Sequence, residues 1–233
     1  MTDRRVAVVT GPTGGLGRVL VPDLAADGWD LVLVGSSQER LDKLVADAGL
    51  DPERTAVVIA NLREQAAATA AIDAAYARFG RVDALAHLVG GWTGGTHVGR
   101  SSDEPFANMI DQHFWTSLNV VRELAPRMVD AGFGRIAAVS SPMAAAPDAG
   151  MGAYGVGKAA LETLFAALAQ EVAGTGVTVN VLRVRAIDTA AGEGGSEKPD
   201  ATTPAEISAA IRYLFSEHAR VVNGERIGLH SGV

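Results

Sequence analysis

Short, almost continuously apolar runs alternate along this chain with longer stretches in which apolar residues recur every three or four positions. An unbroken run of valine, leucine, isoleucine and alanine is typical of a strand covered on both faces, which favours a parallel sheet. The runs predict six strands and a weaker seventh, at Val6–Thr10, Leu31–Gly35, Thr55–Ala60, Ala84–Val89, Arg135–Ser140, Val177–Arg183 and, last, near Arg226–His230.

The helical period is clearest over Asn108–Asp130 and Gly152–Ala173. Alternation of strand and helix implies βαβ units with right-handed crossovers. The sequence therefore predicts an α/β fold in a single domain over residues 1–233, a doubly wound, Rossmann-type parallel sheet of about seven strands with helices on both faces. Ala190–Thr203 is rich in glycine and charge and has no period, which predicts a mobile surface loop, either a connector or a substrate lid.

Composition narrows the function classes. The chain has 233 residues with 20 basic and 27 acidic side chains, and this acidic balance argues against a nucleic-acid partner. Cysteine is absent, which excludes disulfides, thiolate metal sites and cysteine nucleophiles. The five histidines show no metal-binding spacing, so no metal is expected. Neither a secretory signal nor an 18-residue apolar run is found, so we expect a cytoplasmic protein without a membrane partner.

A glycine-rich loop follows the first predicted strand. Thr10–Gly17 reads T-G-P-T-G-G-L-G and leads directly into a helical run. Glycines at this turn let the backbone approach a pyrophosphate, and the N–H groups at the start of the helix favour an anion. The loop therefore predicts a dinucleotide site, although a glycine-rich turn without a ligand has the same composition.

A serine, a tyrosine and a lysine follow at informative spacings. Ser141 lies at the end of the fifth predicted strand, Tyr154 comes thirteen residues later, and Lys158 is four residues beyond Tyr154. Residues four apart share a helix face, so the ammonium of Lys158 is expected near the phenol of Tyr154, where it would lower the phenol pKa. Such a phenol acts as a general acid or base, and Ser141 is placed to bind a carbonyl oxygen.

In order and spacing, these features resemble the short-chain dehydrogenase/reductase family over nearly the whole chain. The family pattern has T-G-x-x-x-G-x-G after the first strand, a serine after the fifth and Y-x-x-x-K in the helix beyond. Thr10–Gly17, Ser141 and Tyr154-x-x-x-Lys158 match it, and Ile187-Asp-Thr189 matches the segment after the sixth strand. The four-residue interval between tyrosine and lysine is similar to that of the family's carbonyl reductases and alcohol dehydrogenases.

The resemblance implies hydride transfer between a nicotinamide cofactor and a carbonyl or alcohol carbon of a small-molecule substrate. Tyr154 would exchange a proton with the substrate oxygen, Lys158 would hold the nicotinamide ribose, and Ser141 would orient the substrate. Cofactor contacts are expected at Gly11, Thr13, Gly15, Leu16, Gly17, Ser36, Ser37, Asn61, Leu62, Gly90, Tyr154, Lys158, Ile187 and Thr189.

Four positions depart from the family pattern. His87-Leu88-Val89-Gly90 stands where the family has N-N-A-G, Val184-Arg185 replaces Pro-Gly, and Asn61 replaces an acidic residue. The family's fourth catalytic residue, an asparagine that helps to hold a water of the proton relay, aligns with His113. His113 either does similar work or packs without a catalytic role.

The end of the second strand bears on the choice of cofactor. Gly35-Ser36-Ser37-Gln38 has no carboxylate to bind a ribose 2′-hydroxyl and repel a 2′-phosphate. Gly14 and Ser36 occupy the positions where NADP-preferring relatives often have a basic residue. Hydroxyls without an acid favour NADP(H) over NAD(H).

Two functions remain open from the sequence. One is an NAD(P)-dependent reductase or dehydrogenase, which the presence of Ser141, Tyr154 and Lys158 favours. The other is a catalytically silent nucleotide-binding protein acting as a sensor or assembly partner, which the replacement of the family asparagines favours. Family members assemble through the long helices before and after the fifth strand, so the resemblance also implies a homo-oligomer, a tetramer or a dimer.

Overall fold

A seven-stranded parallel sheet forms the centre of the molecule. The computed structural model describes residues 4–190 and 201–229. The strands of this sheet are β1 Val6–Thr10, β2 Asp30–Gly35, β3 Thr55–Ile59, β4 Ala84–His87, β5 Gly134–Ser140, β6 Val177–Arg183 and β9 Arg226–Gly228, and a separate pair is formed by β7 Ala186–Ile187 and β8 Ala201–Thr202. Strand order across the sheet is β3-β2-β1-β4-β5-β6-β9, and every neighbouring pair is parallel.

Helices cover both faces of this sheet. The helices are α1 Gly17–Ala26, α2 Gln38–Asp47, α3 Gln65–Phe79, α4 Asp103–Ile110, α5 Thr116–Asp130, α6 Gly152–Glu171 and α7 Pro204–Phe215. Residues of α1, α2 and α7 belong to one apolar cluster, and residues of α3, α5 and α6 belong to the other. The predicted doubly wound α/β fold is confirmed.

β1 shows why its sequence is apolar without alternation. Val6 and Val8 lie in the cluster under α3, α5 and α6, whereas Ala7 and Val9 lie in the cluster under α1, α2 and α7. All four side chains are buried. A strand covered on both faces has no solvent side, and polar residues therefore appear only where it ends.

The sheet follows the predicted strands closely, and differences occur at their ends. β4 ends at His87, two residues before the predicted end, because the chain leaves the ladder there towards Gly90. The last strand covers Arg226–Gly228, and His230 lies outside the described residues. Among those residues, no helix is both long enough and apolar enough to span a bilayer.

The long helix predicted over Asn108–Asp130 contains a local irregularity. The helix begins at Asp103 and changes at Asp111–Trp115 to one turn of π-helix before α5 continues. A π-turn places one extra residue in the helical ladder, so the side chains before and after it point in altered directions. His113 lies in the middle of this turn.

The predicted loop over Ala190–Thr203 is corrected at its end. Ala201 and Thr202 form β8, which pairs with β7, and Thr203 caps α7 with a reciprocal capping box to Glu206. Backbone pairing and a capping box both fix local geometry, so this part of the segment is regular structure. The rest of the predicted loop, residues 191–200, lies outside the described residues.

Candidate active site

Two adjoining cavities open where the carboxyl ends of the central strands meet. Each has a volume of about 380 Å³. The first cavity lies beside the glycine loop and the ends of β2 and β3, and the second lies beside the end of β5 and the start of α6. Leu88 and Gly90 line both, so the two form one continuous groove. The strand order reverses between β1 and β4 at this edge, which is where ligands bind in open α/β sheets.

Close packing explains the glycines of the loop. Gly11 has a φ of +68°, and a Cβ there would lie 3.0 Å from the backbone nitrogen of Val89. A Cβ on Gly17 would lie only 2.0 Å from the carbonyl oxygen of Pro12. Larger residues at these positions would push the loop away from β4 and from its own helix, so the glycines hold the loop against the groove.

Tyr154 and Lys158 line the second cavity, whereas Ser141 is buried next to the lining residue Ser140. Ser141 directly follows β5, is fully buried, and accepts a hydrogen bond from the amide of Met143 at 3.3 Å. Its side chain lies beside Tyr154, which is near the start of α6, and acts to lower the pKa of that phenol. Lys158 Nζ lies 5.8 Å from the centre of the Tyr154 ring and donates to the carbonyl oxygen of Val139 at 2.9 Å.

Burial dominates the electrostatics of these groups. It raises the pKa of the Tyr154 phenol, and the neighbouring Ser141 side chain acts in the opposite direction. It also lowers the pKa of Lys158 to about 8, because an ammonium loses its hydration there, while the Glu162 carboxylate acts to raise it. The expectation that Lys158 lowers the pKa of Tyr154 is not met in this structure, because burial has the larger effect.

His113 lies in a slot between two glycines. A Cβ on Gly90 would lie 2.9 Å from His113 Cε1, and a Cβ on Gly157 would lie 2.8 Å from His113 Cδ2. His113 Nε2 is 3.1 Å from the carbonyl oxygen of Gly91, so this nitrogen carries the proton and donates. Burial lowers the pKa of His113 to about 3, which leaves the ring neutral and makes Nδ1 an acceptor.

The accepting atom of His113 faces the lysine. Nδ1 is buried and has no hydrogen-bond partner among the described residues. A Cβ placed on Gly90 would lie 3.3 Å from His113 Nδ1 and 3.6 Å from Lys158 Nζ, so both nitrogens lie within 3.6 Å of the same position in space. A buried acceptor and a buried donor that face the same small space are suited to a bridging water.

His87 replaces the family asparagine with a hydrogen-bonded connection. Its Nδ1 is 2.9 Å from Thr10 Oγ1, and its Nε2 is 3.1 Å from Ser117 Oγ. Because Ser117 donates its hydroxyl proton to the carbonyl oxygen of His113 at 2.5 Å, His87 Nε2 must donate and Nδ1 must accept. His87 thus belongs to a hydrogen-bonded chain that links the end of β1 to the π-turn.

The other cofactor residues predicted from the sequence fall into two groups. Those lining the cavities are Gly11, Thr13, Ser36, Asn61, Leu62, Gly90, Tyr154, Lys158 and Ile187. The remainder have structural contacts of their own. A Cβ on Gly15 would lie 2.2 Å from Thr189 Cγ2, Leu16 packs in the core, and Ser37 caps α2 by accepting from the amide of Arg40.

Several lining residues were missed by sequence reasoning. Arg40 and Arg63 line the first cavity, although no basic residue was expected there. Arg40 lies in the first turn of α2, and the start of that helix after β2 is the signal that places it at the same edge. Trp92 also lines the second cavity, with 62 % of its surface exposed, and Ser140 lines it with a buried hydroxyl.

Comparison with known proteins agrees with this geometry. The model of the short chain dehydrogenase family matches residues 5–200. An acetoacetyl-CoA reductase from Acinetobacter sp. (strain RA3849) is 30 % identical over 246 residues, which cover 100 % of this chain and 99 % of the relative.

Solved structures share the fold. A levodione reductase superposes with a TM-score of 0.89 at 23 % identity, over 98 % of this chain and 96 % of that one. A 3-ketoacyl-(acyl-carrier-protein) reductase from Brucella melitensis, complexed with NADH, gives a TM-score of 0.86 at 22 % identity, over 97 % and 96 % of the two chains.

Proposed function

Because the chain belongs to the short-chain dehydrogenase family and is an oxidoreductase, we propose that it reduces the carbonyl group of a small molecule to an alcohol with NADPH. The observation that carries the proposal is the placement of Tyr154 and buried Lys158 on one cavity that is continuous with the glycine loop, with Ser141 beside Tyr154. Neither the fold nor the relatives favour the catalytically silent alternative.

The groove fits a dinucleotide in shape and in polarity. α1 begins at Gly17, and its N-cap residue Leu16 supplies no side-chain cap, so the start of the helix is suited to a phosphate. The nearest neighbour that a Cβ on Gly14 would meet is 3.9 Å away, which leaves the backbone there open to a ligand. When bound, a nicotinamide cofactor supplies the hydride, and the residues of the second cavity handle the proton.

Tyr154 is the proton donor in this proposal. Ser141 lies beside Tyr154, and in this proposal its hydroxyl also binds the substrate oxygen. As negative charge develops on that oxygen, Tyr154 transfers its proton and Ser141 stabilises the charge by hydrogen bonding. The ammonium of Lys158, one helical turn away, favours the phenolate that results.

Tyr154→Phe is expected to lower kcat by about 10²- to 10⁴-fold, the usual contribution of a general acid. Cofactor affinity should stay near the wild-type value, because the ring and Lys158 remain. Turnover is followed by NADPH absorbance and binding by NADPH fluorescence, with Tyr213→Phe on α7 as an exposed control. A Tyr154→Phe enzyme with more than about a tenth of wild-type turnover contradicts the assignment.

The substrate panel for this test should separate two classes. The relatives described above include reductases named for acetoacetyl-CoA and 3-ketoacyl substrates. Acetoacetyl-CoA is therefore compared with simple ketones and aldehydes under the same conditions. Cofactor binding without turnover of any member of the panel would favour the silent alternative.

We further propose that His113 holds a water of the proton relay from Lys158. The support is geometric, because the unprotonated Nδ1 and the Lys158 ammonium border the same point beside Gly90. A neutral imidazole there accepts a hydrogen bond as an asparagine carbonyl would. The resupply of a proton to Tyr154 then passes through Lys158 and this water.

Replacement of His113 separates an acceptor role from simple packing. His113→Asn restores an amide acceptor and is expected to stay within about 3-fold of wild-type kcat, whereas His113→Leu should lose about 10-fold or more. Cofactor affinity should be the same in both variants. Equal kcat values for the two variants would show that His113 only fills space.

Two arginines support the preference for NADP(H). Arg40 and Arg63 line the first cavity with Ser36, at the end of β2 where a 2′-phosphate would lie. Both guanidinium groups belong to exposed residues, and Arg63 also donates to Asn108 at 3.0 Å. A cationic side chain at this position favours a phosphate over a hydroxyl.

NADPH is expected to have a lower KM than NADH in a side-by-side titration. Arg40→Gln should raise the KM for NADPH by about 10-fold, the loss of one charge-assisted hydrogen bond, and leave the KM for NADH within about 2-fold. Lys43→Gln, on the exposed face of the same helix, is the matched control. A wild-type preference for NADH would overturn the proposal.

A groove of about 560 Å³ between α5 and α6 lies away from the catalytic side chains and supports the proposed homo-oligomer. Its apolar lining includes Leu118, Val121, Leu164 and Ala167. Light scattering at micromolar concentration should give a mass of a dimer or tetramer of the 24.0 kDa chain, and Ala167→Glu should reduce it. Ala209→Glu on α7 is the control, and a wild-type monomer contradicts the proposal.

A further inference from the structure

A buried ion cluster lies one helical turn beyond Lys158 on α6. Glu162 is 4 % exposed, and its carboxylate accepts from Arg183 Nε at 2.8 Å and from Arg226 Nε at 3.1 Å. A second, shorter bond joins Arg183 Nη2 to the same carboxylate. Arg183 ends β6 and Arg226 begins β9, so Glu162 ties α6 to two strands.

The ion cluster lies beside the part of β5 that accepts a hydrogen bond from Lys158. The lysine donates to Val139, which pairs with Leu182 across β5 and β6, and Arg183 is the next residue of β6. Residues four apart on a helix have Cβ atoms about 5–6 Å apart, so the side chains of Glu162 and Lys158 lie on the same face of α6. In a buried region a charge at this separation is poorly screened.

We propose that Glu162 is a positioning residue for Lys158. The Glu162 carboxylate, anchored by Arg183 and Arg226, holds the buried Lys158 ammonium in its charged form. Without that carboxylate, Lys158 would share its surroundings with two guanidinium groups and two neutral imidazoles. This inference rests on the proposed function, because a charged Lys158 matters for the reaction proposed above.

Charged and titratable groups reach this region from every packed element. The Glu162 carboxylate raises the pKa of Lys158 against the lowering effect of burial. The other groups are Tyr154 on α6, His87 at the end of β4, His113 in the π-turn, Arg183 on β6, Arg185 at the second cavity with its partner Asp148, and Arg226 on β9.

The composition of the chain makes the titration of Lys158 directly measurable. Only Lys43, Lys158 and Lys198 occur, so protein labelled with ¹³C at lysine Cε gives three signals, and Lys158→Arg identifies one of them. Lys43, whose side chain is 63 % exposed, serves as an internal reference. The titration needs neither substrate nor nicotinamide.

Glu162→Gln should lower the pKa of Lys158 by about one unit, because the ammonium loses the negative charge that acts to raise its pKa. Glu162→Asp keeps the charge and should restore most of the wild-type value. Glu171→Gln removes an exposed carboxylate from the last turn of the same helix and should leave the pKa unchanged. A Lys158 pKa in Glu162→Gln within about 0.2 unit of wild type overturns the proposal.

Arg226→Gln gives the opposite sign and keeps the test decisive if Glu162→Gln fails to fold. Its side chain is 41 % exposed, so its removal should be tolerated. With one competing cation gone, the pKa of Lys158 should rise by roughly 0.3 unit. An unchanged or lowered pKa in Arg226→Gln contradicts the inference.

Activity separates this inference from the proposed function. If the Lys158 pKa moves as expected but wild-type protein turns over no carbonyl substrate, Glu162 sets the charge of Lys158 and the reductase proposal fails. If the enzyme is active and the pKa does not move in either variant, the reductase proposal stands and the role of Glu162 is only structural.

Discussion

The burial of one ammonium group is the constraint on which the catalytic edge depends. Lys158 has lost its hydration, and the structure replaces it with the carbonyl oxygen of Val139 and with the nearby charge of Glu162. The same positive charge, together with burial, keeps His87 and His113 neutral. Three basic side chains thus share one poorly hydrated region, and only the lysine is arranged to carry the charge.

Sheet topology brings these groups together from distant parts of the sequence. The glycine loop follows β1, His87 ends β4, Ser141 follows β5, and Tyr154 lies in the first turn of α6. In a parallel sheet all of these points lie at one edge, and the reversal of strand order beside β1 leaves a groove between them. The backbone alone therefore concentrates the polar residues where apolar strands stop.

The sequence predicts most of the fold and the centre of the site because both depend on patterns over a few neighbouring residues, namely apolar runs and a four-residue spacing. β1 and β6 have the predicted ends, since an apolar run stops where burial stops. Tyr154 and Lys158 share a helix face through their four-residue spacing. Arg40, the π-turn and the partners of Glu162 were missed, because they depend on helix starts, ladder irregularities and contacts between residues far apart in the chain.

The π-turn at Asp111–Trp115 has a consequence for the evolution of this edge. It adds one residue to an otherwise regular helix, and one residue corresponds to about 100° of rotation around the helix axis. A single-codon deletion before His113 would regularise the helix and swing the imidazole out of its glycine slot, with little change to the core. A relative that lost this codon would therefore keep its fold and rearrange the proposed proton pathway in one step.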